Sequence, residues 1–255
     1  MHFAESSYVI LSEGDEFTTD AKPRLRLQPE TWVITAKLEE YSLRMYQKDI
    51  EEKLGPGFAF AKYLCFRKGD QSRKQEFMRI YQQIPTVETE YGRFETRAEQ
   101  AVPPIDLPEL KAFVELTMHS CPVVPRLLGY QEGTQGKDGR VPGGFLVSVV
   151  WEKVPGEPLS QEYFWSLEFE HREAIRQEFR RVYEQLVRCG IRPCIATLSK
   201  LIYDQSSGKI TISGFRSAAR INPETGWSNT NFPKYGLAEL PPRRDWRLHE
   251  SEWKY

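Results

Sequence analysis

The chain has 255 residues, of which 40% are hydrophobic and 13% aromatic, so it can bury one large core or two smaller ones, and wholesale disorder is excluded. Its 35 basic and 36 acidic residues leave a formal net charge of -1, which excludes a global field drawing it to nucleic acid or to an anionic membrane. Four cysteines without paired short spacing and four scattered histidines give no metal site, and none is expected.

Residues 1–30 are polar, with turn formers at Gly14-Asp15 and Lys22-Pro23, and are expected to form a loosely held arm with a short strand at Ser7–Leu11. No basic region followed by an apolar run opens the sequence, and no apolar stretch nears the roughly 20 residues that span a bilayer. A soluble protein of the cytoplasm, or alternatively of the nucleus, with reduced thiols is therefore expected.

Trp32–Ala36 and Phe58–Phe66 carry the β-branched and aromatic residues of strands. The stretch from about 70 to 104 is charged and weakly periodic, and reads as helix fragments and loop. Asp106-Leu107-Pro108-Glu109 then places a capping side chain, an early proline and a first-turn acid at a helix start, and Leu110, Phe113, Val114, Thr117 and Met118 recur as its buried face. The helix stops at Ser120-Cys121-Pro122, and Val123–Tyr130 is extended.

After a Gly-, Gln- and Lys-rich loop, Phe145–Trp151 is a continuous apolar run, the pattern of a strand covered on both faces, and it breaks at Glu152–Gly156. Ile175, Phe179, Val182, Tyr183, Leu186 and Val187 form the stripe of a long helix, with Arg172, Arg176, Arg180, Arg181 and Arg188 alternating with glutamates on what reads as a solvated face. Gly190 ends it. Lys200–Asp204 and Lys209–Ser213, joined by Gln205-Ser206-Ser207-Gly208, read as a hairpin. The tail from Arg220 has no strong helical stripe but is rich in aromatics: Trp227, Tyr235, Trp246, Trp253 and Tyr255 either dock on the body or await a partner.

Three segments carry a resemblance. Val123–Tyr130, Phe145–Gly156 and, above all, Gly190–Asp204 followed by Lys209–Ala218 resemble the fourth strand, the fifth strand with its hinge, and the catalytic loop with its metal-binding strand in the protein-kinase-like superfamily. The divergent kinase-like proteins of fungi and the aminoglycoside and choline kinase relatives look most similar. The resemblance spans about residues 58–218. It implies an α+β, two-lobed protein-kinase-like fold with a reduced C-terminal lobe: an arm over 1–30, a sheet-bearing lobe with one capped helix over 31–152, and a shortened helical region with an aromatic tail over 153–255.

The family uses a loop Asp to orient the acceptor hydroxyl, an Asn five residues on for metal, and an Asp before a phenylalanine for magnesium. Aligned by the resemblance, those positions hold Ile195, Lys200 and Gly214, ahead of Phe215. Pro193 stands for the loop histidine and Arg216 for the glycine after the phenylalanine. Magnesium demands oxygen ligands, so a missing carboxylate and an added ammonium weaken its binding, and the resemblance implies a degenerate, non-phosphorylating pseudokinase needing no cofactor. Lys62 on its strand and Glu109 on the capped helix look like the family's phosphate-contacting lysine and its partner. Gly55-Pro56-Gly57 is no phosphate-cradling loop.

Two functions follow as expectations: a binding or scaffolding protein for an unidentified protein or small-molecule ligand, without nucleic acid or membrane; or a fold retooled as an enzyme or carrier for a small apolar metabolite of a biosynthetic pathway, its cleft near Lys62, Glu109, Glu152 and Ile195. Phosphotransfer by relocated carboxylates such as Asp204 or Glu184, and nucleophilic chemistry at Cys194, are the remaining alternatives.

Overall fold

The computed structural model describes residues 4, 5, 7–9 and 11–255, and is a mixed α and β structure of two compact units. The first comprises the residues up to Asp106 together with Leu127–Lys153; the second comprises Leu107–Arg126 and Val154–Tyr255.

A seven-stranded antiparallel sheet makes up most of the first unit. Its strands are β1 (Ala4–Glu5), β2 (Glu16–Thr19), β3 (Glu30–Leu43), β4 (Phe58–Arg67), β5 (Glu76–Gln83), β6 (Leu127–Thr134) and β7 (Phe145–Glu152), in the order β1-β3-β4-β5-β7-β6 with β2 also on β3. The period of two explains the packing. Trp32, Ile34, Ala59, Ala61, Tyr63, Cys65, Met78, Ile80 and Val150 alternate onto one face and form a core that Val9 and Ile84 complete. Phe60, Tyr81 and Trp151 are buried on the opposite face. Burial of Phe145, Val147, Val149, Val150 and Trp151 agrees with a strand covered on both sides.

Three sequence expectations need correction here. Residues 1–30 are not a loose arm throughout, because Glu16–Thr19 pairs in register with Glu30–Val33. Ser7–Val9 and Leu11 form no strand, and Ile10 lies outside the described residues. Instead Glu40, 7% exposed, grips this stretch by accepting the Val9 N–H at 3.1 Å and that of Tyr8, while Lys37 Nζ donates to Val9 O at 2.9 Å. The charged stretch 70–104 contains β5, a central strand. Its polar residues hide the alternation, and each is matched after folding: Glu76 accepts the Lys153 N–H at 2.7 Å, Arg79 pairs with Glu39, and Gln83 donates to Gln100 O while accepting from the Val102 N–H. Among the described residues, two short α-helices, α1 (Gln47–Glu51) and α2 (Phe94–Ala98), accompany the sheet.

The second unit holds α3 (Pro108–Met118), β8 (Glu157–Pro158), α4 (Gln161–Ser166), α5 (Phe169–Arg188), β9 (Ile191–Pro193), β10 (Leu201–Asp204), β11 (Lys209–Ile212), β12 (Ala218–Arg220) and α6 (Asn231–Tyr235). Pro108 occupies the first turn of α3, but the residue at its N-cap is Leu107, not Asp106, and no side-chain cap bond forms there. Its buried face is Glu109, Leu110, Ala112, Phe113 and Leu116, whereas Met118, expected inside, is 69% exposed.

The α5 stripe buries Ile175, Phe179, Val182, Leu186 and Val187 as its spacing requires. Arg176 is the exception to the solvated arginine face. It is fully buried, donates to Glu173 at 2.9 Å and Leu237 O at 3.3 Å, and lies against the Phe164, Phe169 and Tyr255 rings. The aromatic tail docks: Trp227, Phe232 and Tyr235 pack around Phe179 with ring centroids 4.8 to 6.2 Å away. A helical periodicity was not the signal for it, since single rings rather than a stripe make the contact.

Candidate functional site

The block Gly190–Ala218 lies wholly within the second unit and forms a frame of two antiparallel pairs. β9 pairs with β12 through Pro193–Ala218, Arg192–Ala219 and Ile191–Arg220. β10 and β11 form the expected hairpin, with β8 on its outer edge. Asp204 shapes the hairpin turn by accepting from the Ser206 hydroxyl at 2.7 Å and the Ser207 hydroxyl at 2.5 Å. These bonds, that from Ser207 foremost, hold its carboxyl below the usual range.

Between the pairs, two loops are tied together by main-chain bonds. The Cys194 N–H donates to Ser217 O at 2.9 Å, and the Ser213 N–H donates to Lys200 O at 2.8 Å, joined there by the Ser213 hydroxyl at 3.1 Å. These bonds bring Pro193, Ile195, Lys200, Gly214, Phe215 and Arg216, all singled out in the sequence, into one neighbourhood. Ile195 is 41% exposed, and Cys194 is exposed beside it.

Gly214 adopts the left-handed backbone region, with φ 92° and ψ 37°. A Cβ there would stand 2.8 Å from Lys200 Cδ and 3.0 Å from its Cγ, so the methylene stem of Lys200 occupies the space into which a side chain at 214 would project. Phe215 follows, 1% exposed, and meets the Phe113 ring edge-on at 5.7 Å. Phe113 was legible only as part of a helical stripe; its use as the seat for Phe215 depends on the fold and has no signal in the spacing.

Chemically, positions 195, 200 and 214 present a hydrocarbon side chain, an ammonium stem and bare backbone. Oxygens nearby include the hydroxyls of Thr197 and Ser199, which bond each other at 3.0 Å, and that of Ser213. Among the described residues no group of three or more His, Cys, Asp or Glu is placed to hold a metal ion. Asp204 serves its turn, and Glu184 pairs with Arg180 at 3.0 Å along α5, so both carboxylates weighed as relocated donors have structural partners.

The remaining sequence candidates divide between the units. In the first, Lys62 lies on β4, opposite Glu39 and Arg79 in register, with its ammonium 3.8 Å from the centre of the Phe77 ring. Glu152 ends β7, 3.4 Å from Lys74, which also meets Glu76 at 3.3 Å. Glu109 belongs to the second unit, 3% exposed in the first turn of α3. No helix among the described residues is long and apolar enough to cross a membrane.

No family model matches the chain, and no curated protein matches it in sequence. Among solved structures, it is similar to that of the Cydia pomonella granulovirus kinase PK-1, at 12% identity and a TM-score of 0.42, over 77% of this chain. The chain spans 55% of the length of that viral kinase.

Proposed function

We propose that this chain is a kinase-like protein that does not transfer phosphoryl groups, and that it acts by binding or scaffolding a protein or small-molecule ligand. The sheet-rich unit would serve as its first lobe and the second unit as a reduced helical lobe. The observation that carries the proposal is the contact between Gly214 and Lys200. Position 214 has no side chain, and the Lys200 stem lies where a Cβ at that position would project. An ammonium at the second metal position opposes a divalent cation, and Ile195 offers no acceptor for a hydroxyl proton. Phosphoryl transfer depends almost wholly on positioning and charge neutralisation, so losing all three groups removes the means of catalysis while leaving the frame.

Incubating the protein with γ-labelled ATP and magnesium or manganese, with and without generic acceptor proteins and amino-alcohol acceptors, tests this reading. No label should move to the chain or to an acceptor above the level of a heat-denatured control. Metal-dependent transfer abolished by a single substitution in the 190–218 block would overturn it.

A further inference from the structure

In the first unit, side chains grip the main chain of a short extended stretch. Ser7–Val9 lies in no strand, yet Glu40 accepts the N–H groups of both Tyr8 and Val9, and the Val9 carbonyl takes two donors, Lys37 Nζ at 2.9 Å and the Tyr63 hydroxyl at 3.3 Å. Lys37 and Glu40 also pair with each other. Strand alternation would turn two residues three apart to opposite faces, but β3 slips register against β4 between Lys37 and Glu39, and this bulge brings both side chains onto Val9. Val9 itself is sunk, 2% exposed, in the cluster that holds Trp32, Ile34 and Tyr63. Tyr8 is half-buried and donates its hydroxyl at 2.6 Å to Glu90, a carboxylate that Arg44 also holds at 2.7 Å. The link onward to β2 is an exposed turn over Ser12–Asp15, with Gly14 in the left-handed region at φ 90°.

We propose that Lys37, Glu40, Tyr63 and the recess around Val9 form a docking site for an extended peptide segment of a partner protein, a tyrosine followed by a β-branched residue, and that this chain's own Tyr8-Val9 holds the site in cis.

Main-chain N–H and carbonyl groups are common to every peptide, so the bonds to Glu40, Lys37 and Tyr63 pass unchanged to a segment from another chain. Selectivity then comes from side chains: the recess admits a residue of the size and shape of valine, and Glu90 accepts a phenolic hydroxyl beside it. Exchange also leaves no charge stranded, because the Glu40 carboxylate keeps its Lys37 partner whichever segment is bound. Partner and N-terminal stretch therefore compete for one site. The inference rests on the binding-or-scaffolding reading above and names its partner class, but it concerns the first unit alone, so peptide docking and the label-transfer assay can fail separately.

The experiment inserts a protease recognition sequence between Glu13 and Gly14 of the full chain and cuts it, so that both pieces remain and the N-terminal stretch becomes a free peptide. Binding of a labelled peptide with the sequence of residues 4–13 is followed by fluorescence anisotropy before and after the cut. Saturable binding to the cut chain is expected, with release of the native fragment. The uncut chain should bind about tenfold or more weakly, since its tethered stretch competes at an effective concentration on the order of millimolar. Methylating the Val9 nitrogen of the peptide, or changing Val9→Asp in it, should each weaken binding about tenfold or more, and neither alters the folding of the body. A body that loses its cooperative melt when the fragment leaves, a fragment that excess peptide does not displace, undiminished binding of the two altered peptides, or uncut chain that dimerises by exchanging the stretch overturns the proposal.

Discussion

The sheet of the first unit and the 190–218 block of the second hold their geometry in opposite ways. Along β4 residues 58–65 each have cross-strand neighbours on both sides, and the small Ala59 and Ala61 alternate with the rings of Phe58 and Phe60 to fit two faces at once. The 190–218 block has no such redundancy. It depends on a left-handed glycine, one lysine stem, one ring on another and a few main-chain bonds. A change at 200 or 214 is therefore felt through a single contact, whereas a change in β4 is shared among neighbours on two strands.

The hardest way to break that comparison is to remove the ring that anchors the block. Phe215→Ala should cost about 3–5 kcal/mol in a urea titration, the usual range for a buried ring, and a loss under about 1 kcal/mol would mean that Phe113 does not hold it. Next comes an alkaline titration of the sheet. Burial, followed by the nearby Glu40 charge, pushes Tyr63 up to about 12, and its hydroxyl donates to Val9 O at 3.3 Å. A phenol whose folded value lies above its unfolded value of about 10 contributes fully below pH 10 and loses its contribution as pH climbs to 12, roughly 2–3 kcal/mol for a group with no exposure. Tyr63→Phe should flatten that window in a pH-stability profile; an unchanged profile would place the alkaline loss elsewhere.

A smaller effect sharpens the contrast at its centre. Gly214→Asp should destabilise by about 1–2 kcal/mol, from left-handed strain and from the collision with Lys200. In a double-mutant cycle with Lys200→Ala, part of that cost should return as a coupling of about 0.5–1 kcal/mol, since only the collision is relieved. Strict additivity would show that the lysine stem does not fill the space. Smallest of all, Tyr235→Phe should be neutral or stabilising by up to about 1 kcal/mol, because the buried hydroxyl has no hydrogen-bond partner among the described residues.

Much of this frame was legible in residue pattern alone: β4, β7, the α5 stripe and the hairpin stand close to where alternation, apolar runs and a glycine-bearing turn place them. β5 was not, since Glu76, Arg79 and Gln83 read as polar until partners from distant segments meet them. Arg176 misled for the same reason in reverse: spacing assigns it to a wet face, and the Phe164 and Phe169 rings together with the returning tail, through Leu237 and Tyr255, bury it. At the candidate site, the identities of Ile195, Lys200 and Gly214 were visible, but the packing of one against another was not. Such contacts arise between segments whose pairing the chain sets only after folding.

A thermal-shift titration with ATP, run with magnesium and again with a chelator, tests directly whether the 190–218 block can hold a metal–nucleotide complex. Stabilisation by a ligand grows with its concentration over its dissociation constant, so a working metal site must register as a magnesium-dependent rise in melting temperature. The two curves should superimpose. A rise that appears only with magnesium and saturates with ATP would contradict it.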